Sequence, residues 1–342
     1  MTLQYTVAGL VWLALTAYGV LGGADFGGGI WDLFSYGKLA NRQRNAIINA
    51  LGPVWEANNV WLIFAIVLTF TGFPTVFSAL SQALFIPLTI ALLGITLRGA
   101  AFVFRNYTPR SNFQYELWGR TFSAASIITP FMFGVCAGAI VGGNIRFSAG
   151  VTTANYFTTW VTPFAIVCGF FALGMCATLA ATYLAVEAEN AQDSELSGLF
   201  RFRATVAGAI TAVFGLFAFL LSSGDAPLLW KGMIGVALPI MLMAMLVGAA
   251  TAYLLITHRL DIARITIVAE IALIMLTWAI ALSPMLVPPD LTIINAAAPD
   301  ITLQFLIWGT IGGMVFLLPS LWLLFKVFKS SNQTGTETDS IH

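Results

Sequence analysis

The sequence predicts an all-α membrane protein of about nine transmembrane helices, and three observations carry the prediction. Hydrophobic residues make up 59% of the 342 and charged residues only 9%. Mean hydropathy is +0.89, far from the balance of a soluble domain. Nine apolar runs reach the roughly 17–25 residues that a bilayer crossing needs. The third observation is the placement of Lys and Arg, which gather in alternate connections.

In chain order the runs are 5–24, 54–72, 78–103, 121–141, 158–184, 204–222, 231–256, 265–283 and 304–327. The first follows Met1-Thr-Leu-Gln, which has no basic stretch, so it reads as a retained helix and not a cleaved signal peptide. The second opens at Pro53, which suits a first helical turn. Long connections remain at 25–53, 104–120, 185–203 and 284–303. Residues 1–329 thus form one polytopic domain. Its run count is compatible with two four-helix bundles, halves 1–145 and 155–285, plus a peripheral helix 304–327. No residue-level repeat supports that division. Residues 330–342 are polar and rich in Ser and Thr, and read as a disordered cytoplasmic tail.

Lys38, Arg42, Arg44, Arg98, Arg105, Arg110, Arg120, Arg201, Arg203, Arg259, Arg264, Lys326 and Lys329 fall on one side. Only Arg146 and Lys231 fall on the other, so thirteen of the fifteen basic residues share a side. The positive-inside bias puts the N-terminus outside and the C-terminus in the cytoplasm. Asp25 and Glu56 then both lie toward the cytoplasmic face.

Acids within or at the edge of a bilayer are costly and mark ion or proton routes by default. Glu56 sits in Gly52-Pro-Val-Trp-Glu-Ala-Asn-Asn-Val-Trp-Leu62, with Asn59 at i+3 and Asn58 and Trp55 beside it. Trp55 and Trp61 bracket this polar cluster. Partial desolvation would suit Glu56 to taking up and passing on protons; the competing reading is a first-turn carboxylate favoured by the helix dipole. Asp25 lies in Gly22-Gly-Ala-Asp-Phe-Gly-Gly-Gly29. Those glycines permit close helix approach or a re-entrant turn; alternatively Asp25 is a solvated residue at a helix C-cap. Asp32, followed by polar loop, reads as solvent-facing, as do Tyr183, Glu187 and Glu189. Arg98 and Glu270 lie inside spans three and eight and read as a structural ion pair.

The three cysteines, Cys136, Cys168 and Cys176, fall in apolar runs without CxxC spacing and read as packing residues. Only two histidines exist, His258 and His342. A bis-histidine haem between helices is therefore excluded for this chain, and a metal site is not expected. No nucleotide fingerprint or hydrolase motif appears. With net charge near zero, no nucleic-acid partner is implied.

The two segments quoted above, together with Leu97-Arg-Gly-Ala-Ala-Phe-Val-Phe-Arg105, resemble those of the second subunit of cytochrome bd-type quinol oxidases. The nine-span layout and scarcity of histidine agree over nearly the whole chain. Many members of that family carry Asp at the position of Glu56, and His and Gln at those of Val54 and Asn59. The resemblance implies a bacterial terminal oxidase of the respiratory chain that reduces O₂ to water with electrons from quinol, without pumping. It implies that subunit I carries two b-type haems and one d-type haem, while this chain binds none. Asp25 and Glu56 would serve a cytoplasmic proton path toward subunit I. Further partners it admits are a small single-span subunit and membrane lipid or a structural quinone. Two rivals stand beside it: an ion-coupled secondary transporter, and a purely structural scaffold whose acids are helix caps.

Overall fold

The computed structural model describes residues 2–51, 55–109 and 113–334, with the side chains of 51–57 and 324–334 outside that description. Its helices are α1 (Thr2–Leu33), α2 (Ala40–Leu51), α3 (Trp55–Gly72), α4 (Pro74–Ala83), α5 (Phe85–Tyr107) and α6 (Phe113–Val141). They continue as α7 (Pro163–Asn190), α8 (Ser194–Asp225), α9 (Pro227–Ile234), α10 (Leu238–Ile256), α11 (Leu260–Leu282) and α12 (Asp300–Thr334). Two small antiparallel hairpins interrupt them. In one, β1 (Arg146–Ser148) pairs with β2 (Val151–Thr153); in the other, β3 (Met285–Val287) pairs with β4 (Leu291–Thr292). The strictly all-α expectation missed these hairpins because such short strands carry no hydrophobic periodicity to read.

Eight of the helices are long and apolar enough to cross a membrane: α1, α5, α6, α7, α8, α10, α11 and the Asp300–Leu323 part of α12. A ninth candidate is a bent pair taken as one span, Asn58–Gly72 of α3 with α4, whose axes differ by 116°. Proline explains the local breaks. Pro74 opens α4 and forces Phe73 off helical geometry, at φ −136° and ψ 63°. Pro87 cannot donate to the Ala83 carbonyl, so the apolar run 78–103 divides at Leu84. The run 231–256 divides likewise. It breaks after α9, around Gly235, and restarts at Leu238 with Pro239 in the first turn of α10. Gly232 of α9 packs directly on the Ala281 carbonyl of α11, where any Cβ would overlap it.

The chain alternates between two ends. At one, Arg42 of α2 binds Asp193 and Glu195 at the α7–α8 corner, and Arg203 of α8 donates to the Phe34 carbonyl beyond α1. Asp193 also caps α8 by accepting from the Leu196 N–H at 3.0 Å. The Arg42 guanidinium and that N–H hold the Asp193 carboxyl below the usual carboxylate range. Beneath this corner Ile47, Leu184, Phe200, Leu255 and Leu260 form a buried cluster.

At the other end Asp290 joins the two hairpins. It accepts from the Phe147 N–H and from Arg146 Nε, both at 2.9 Å. Those contacts, the N–H first, depress its carboxyl pKa. Gln4 donates to Asp300 and the Ala298 N–H to the Gly72 carbonyl, so the start of α12 is fastened to α1 and α3. Thr162 caps α7 through the Ala165 N–H, with Pro163 in its first turn. The start of the sequence-predicted tail continues α12 to Thr334; residues 335–342 lie outside the described residues.

Candidate functional site

The candidate site is built where α1 is squeezed between α3, α6 and α7, with side chains of α5 reaching in across α6. Its glycines allow the squeeze: a Cβ on Gly27 would overlap the Cys176 carbonyl oxygen of α7, and one on Gly29 would overlap Ser126 of α6. The helix therefore runs straight through the glycine segment to Leu33. Of the sequence readings for Asp25, close helix approach agrees with this geometry. The C-cap and the re-entrant turn do not, because Asp25 lies two turns inside a continuous helix.

Asp25 is 3% exposed. Its Oδ2 accepts a hydrogen bond of 2.6 Å from Asn58 Nδ2 of α3, and the same amide reaches the Leu21 carbonyl at 3.3 Å. Asn58, expected to support Glu56, is thus the direct partner of Asp25. Asn59 and Trp61 follow it on α3, both half-buried. Trp55 and Glu56 belong to the first turn of α3, and their side chains lie outside the described residues.

Arg98 of α5 enters the same space and is 5% exposed. Its Nε donates to Ser126 Oγ at 3.1 Å, and its guanidinium lies 5.0 Å from the Phe26 ring centre and 5.1 Å from that of Phe122. Cation–π contact with two rings offsets part of the cost of burying the charge. Arg98 acts electrostatically on Asp25 and Tyr18, and among the described residues it forms no direct ion pair. The pairing of Arg98 with Glu270 is corrected by the structure. Glu270 lies on α11 against Gly248 and Thr251 of α10, whereas α5 packs on α6. Depth in the membrane brought the two together in the sequence reading, but depth says nothing about which helices are neighbours.

A second buried pair lies one level nearer the Arg42 corner. Asp32 is 4% exposed, accepts from Arg105 Nη1 at 2.9 Å and Nη2 at 3.3 Å, and accepts from Ser123 at 3.2 Å. The Arg105 guanidinium also lies over Tyr115. The expectation that Asp32 faces solvent is therefore wrong: α1 extends past it and α5 covers it. Glu187 and Glu189 are exposed as expected, while Tyr183 is half-buried against the Ile267 cluster.

Sequence reasoning also passed over Tyr18. Its ring sits edge-on to Phe26 and Phe133, and its buried hydroxyl has no hydrogen-bond partner among the described residues. A signal existed: Tyr18, Asp25 and Asp32 recur every seven positions on α1, and Arg98 and Arg105 do so on α5. At about two helical turns per step, each set shares a face.

The histidines, the usual haem and metal ligands, number two in the sequence. His258 sits exposed at a turn, with φ 61°, and His342 lies outside the described residues. Among the described residues no cluster of three His, Cys, Asp or Glu is arranged to hold a metal.

Comparison with known proteins agrees with this architecture. The model of the family "Cytochrome bd terminal oxidase subunit II" matches residues 3–328. Cytochrome bd-I ubiquinol oxidase subunit 2 of Escherichia coli K12 is 24% identical over 382 aligned positions, covering 95% of this chain and 96% of that one. A putative cytochrome bd menaquinol oxidase subunit II of Bacillus subtilis is 23% identical, covering 93% of each chain. A chain in the solved structure of bd oxidase from Geobacillus thermodenitrificans superposes with TM-score 0.81 at 23% identity. It covers 96% of this chain and 99% of its own length, and shares the fold. With 3–328 matched, the chain belongs to the family of cytochrome bd terminal oxidase subunits II.

Proposed function

We propose that Asp25 and Glu56 form part of a proton path that this chain supplies to a haem-bearing subunit I. Membership of the family makes the chain a multi-pass bacterial membrane protein and one subunit of a cytochrome bd quinol:oxygen oxidoreductase complex, which contains haem. Haem supplies the electron transfer and oxygen reduction of such a complex. With only two histidines in the sequence, a bis-histidine haem between its helices has no ligands here, which supports assigning the haems to subunit I and to this chain the binding of subunit I and the holding of protons.

The observation that carries the reading is the 2.6 Å bond between Asn58 and Asp25. It ties a buried carboxylate on α1 to the helical turn that also carries Glu56. An amide can donate to an ionised carboxylate and can rotate to accept from a protonated one, so Asn58 serves Asp25 in either state. Arg98 adds a nearby positive charge that is anchored on Ser126 and stays clear of direct contact. A buried acid held this way, as Asp25 is, suits proton transfer better than helix capping.

The orientation is proposed on the same footing. The Lys- and Arg-rich connections meet at the Arg42 corner, which supports a cytoplasmic position for that end and an outside one for the Arg146–Asp290 hairpins. An internal duplication is also proposed. Two long helices, a short helix opening with proline, two more long helices and a β-hairpin occur as α1 to β2 and again as α7 to β4, apart from α2. This supports a division close to the halves 1–145 and 155–285, each extended to take in its hairpin, with α12 appended.

The test is quinol-driven oxygen consumption by the purified complex carrying Glu56→Gln or Asp25→Asn, with haem content followed by absorbance. Full haem with turnover lowered at least ~10²-fold is expected, within the ~10²–10⁴ typical of lost proton-transfer groups. Full haem with normal turnover would return both acids to a structural role.

A further inference from the structure

We propose that a groove at the Lys- and Arg-rich end, between the end of α1 and the first half of α8, binds an anionic phospholipid. The inference is independent of the proton path. The groove has a volume of about 460 Å³, and Trp31, Phe34, Lys38, Leu199, Phe202 and Arg203 are among its lining. Its floor is apolar, and among the described residues neither of its two cations is neutralised by a carboxylate. Arg203 donates from Nη2 to the Phe34 carbonyl at 2.7 Å, and its guanidinium lies 5.2 Å from the Trp31 ring centre and 5.5 Å from that of Phe200. Among the described residues neither Arg203 nor Lys38 forms an ion pair, and Arg203 Nη1 is enclosed with no acceptor. Gln43, which also borders the groove, has an enclosed Oε1 without a donor. A guanidinium and an ammonium without a carboxylate partner at the rim of an apolar groove attract an anion, and a phosphate is the anion that a forked cation matches best.

What makes the occupant a lipid and not a free anion is the surface that leaves the groove. Phe202, Val206, Ile210, Val213, Phe217 and Leu220 are all exposed. They recur at steps of three and four, so they form one apolar stripe along α8 starting at the groove. At 32 residues, α8 runs about 48 Å and exceeds a hydrocarbon core of about 30 Å. The excess lets its first turns stand at headgroup level, where the long Arg203 side chain can reach the phosphates while the stripe descends among acyl chains. Trp31 and Tyr36 supply the aromatic rings common at that boundary. Headgroup phosphate on Arg203 and Lys38, with an acyl chain along the stripe, satisfies both halves of the surface.

The test is native mass spectrometry of the purified oxidase complex, with dioleoylphosphatidylglycerol or dioleoylphosphatidylcholine added. The proposal expects phosphatidylglycerol to be retained over phosphatidylcholine, and to stay bound in excess inorganic phosphate. Arg203→Gln should cut phosphatidylglycerol retention about tenfold, and Lys38→Gln about fivefold, with phosphatidylcholine unchanged. Equal retention of the two lipids would overturn it. So would parent-like retention in the variants, or displacement by inorganic phosphate, which would make the occupant a free anion. If Arg203→Gln fails to assemble, the exposed Lys38→Gln decides alone.

Discussion

Replacing Asp32 by Asn removes the charge opposite Arg105 and leaves the shape of the side chain nearly unchanged. Asp32 is 4% exposed and the Arg105 side chain 7%, and two hydrogen bonds hold them together at 2.9 and 3.3 Å. Breaking a buried pair from one side leaves the surviving charge uncompensated and costs about 3–5 kcal/mol. Burial beside Tyr115 keeps Arg105 from recovering that energy in water. At 1.4 kcal/mol per factor of ten, the folded population should fall at least a hundredfold relative to the unfolded one. Detergent-purified complex should therefore elute smaller or aggregated at temperatures the parent tolerates, as followed by fluorescence-detected size-exclusion chromatography. The double variant Asp32→Leu with Arg105→Met should recover most of the loss, because two apolar side chains of similar volume carry no desolvation debt. An Asp32→Asn complex as heat-resistant as the parent would refute the reasoning. A double variant that assembles fully yet consumes no oxygen would show that the pair moves protons as well as bracing the bundle.

Gly27→Leu should abolish assembly, since any Cβ there overlaps the Cys176 backbone and no side-chain rotation relieves it; membrane-fraction immunoblotting checks this. Asn58→Leu should keep haem content while lowering oxygen consumption roughly tenfold, because Asp25 loses its 2.6 Å donor. The Asp193 carboxyl is held low by Arg42 first and by the Leu196 N–H next, so its folded pKa lies below its unfolded one. Its stabilisation is then complete above the unfolded carboxylate value near 3.9 and is lost as pH falls through the folded value. In Arg42→Gln this acid-side loss should flatten, as read by thermal unfolding across pH 2 to 6.

The long helices were legible because a bilayer demands length and hydrophobicity together, and few other structures need both. Their breaks were partly legible. The gap between the runs 54–72 and 78–103 located the break at Pro74 without the helix α4 that starts there, and the division at Leu84 depends on a carbonyl four residues before Pro87, which the run 78–103 conceals. The end of α1 was misplaced because hydropathy falls at Gly22, whereas the helix is held to Leu33 by close packing on α6 and α7. That error carried over to Asp32, which was placed in water. At the site, Asp25 and Asn58 stood out as polar groups in apolar surroundings. Their mutual bond was not legible, since which helix faces which is a tertiary fact.

The spacing of seven on α1 and α5 explains why two similar acid–arginine levels are proposed to do different work. Both helices run from the hairpin end toward the Arg42 corner, so Asp25 faces the level of Arg98, and Asp32 that of Arg105, about 10.5 Å apart. At the outer level the arginine closes on its carboxylate with two hydrogen bonds, Ser123 adds a third, and Asp32 is fully engaged. At the inner level Ser126 and two aromatic rings hold Arg98, and the neutral Asn58 amide takes its place at the carboxylate. A proton carrier must exchange partners as its charge changes, and a carboxylate gripped by a forked cation would have to break both bonds to do so. The inner level can answer a proton by rotating one amide. On this argument Asn58 marks Asp25 as the member of the proposed path, and Asp32 as the brace that keeps α1 and α5 in register around it.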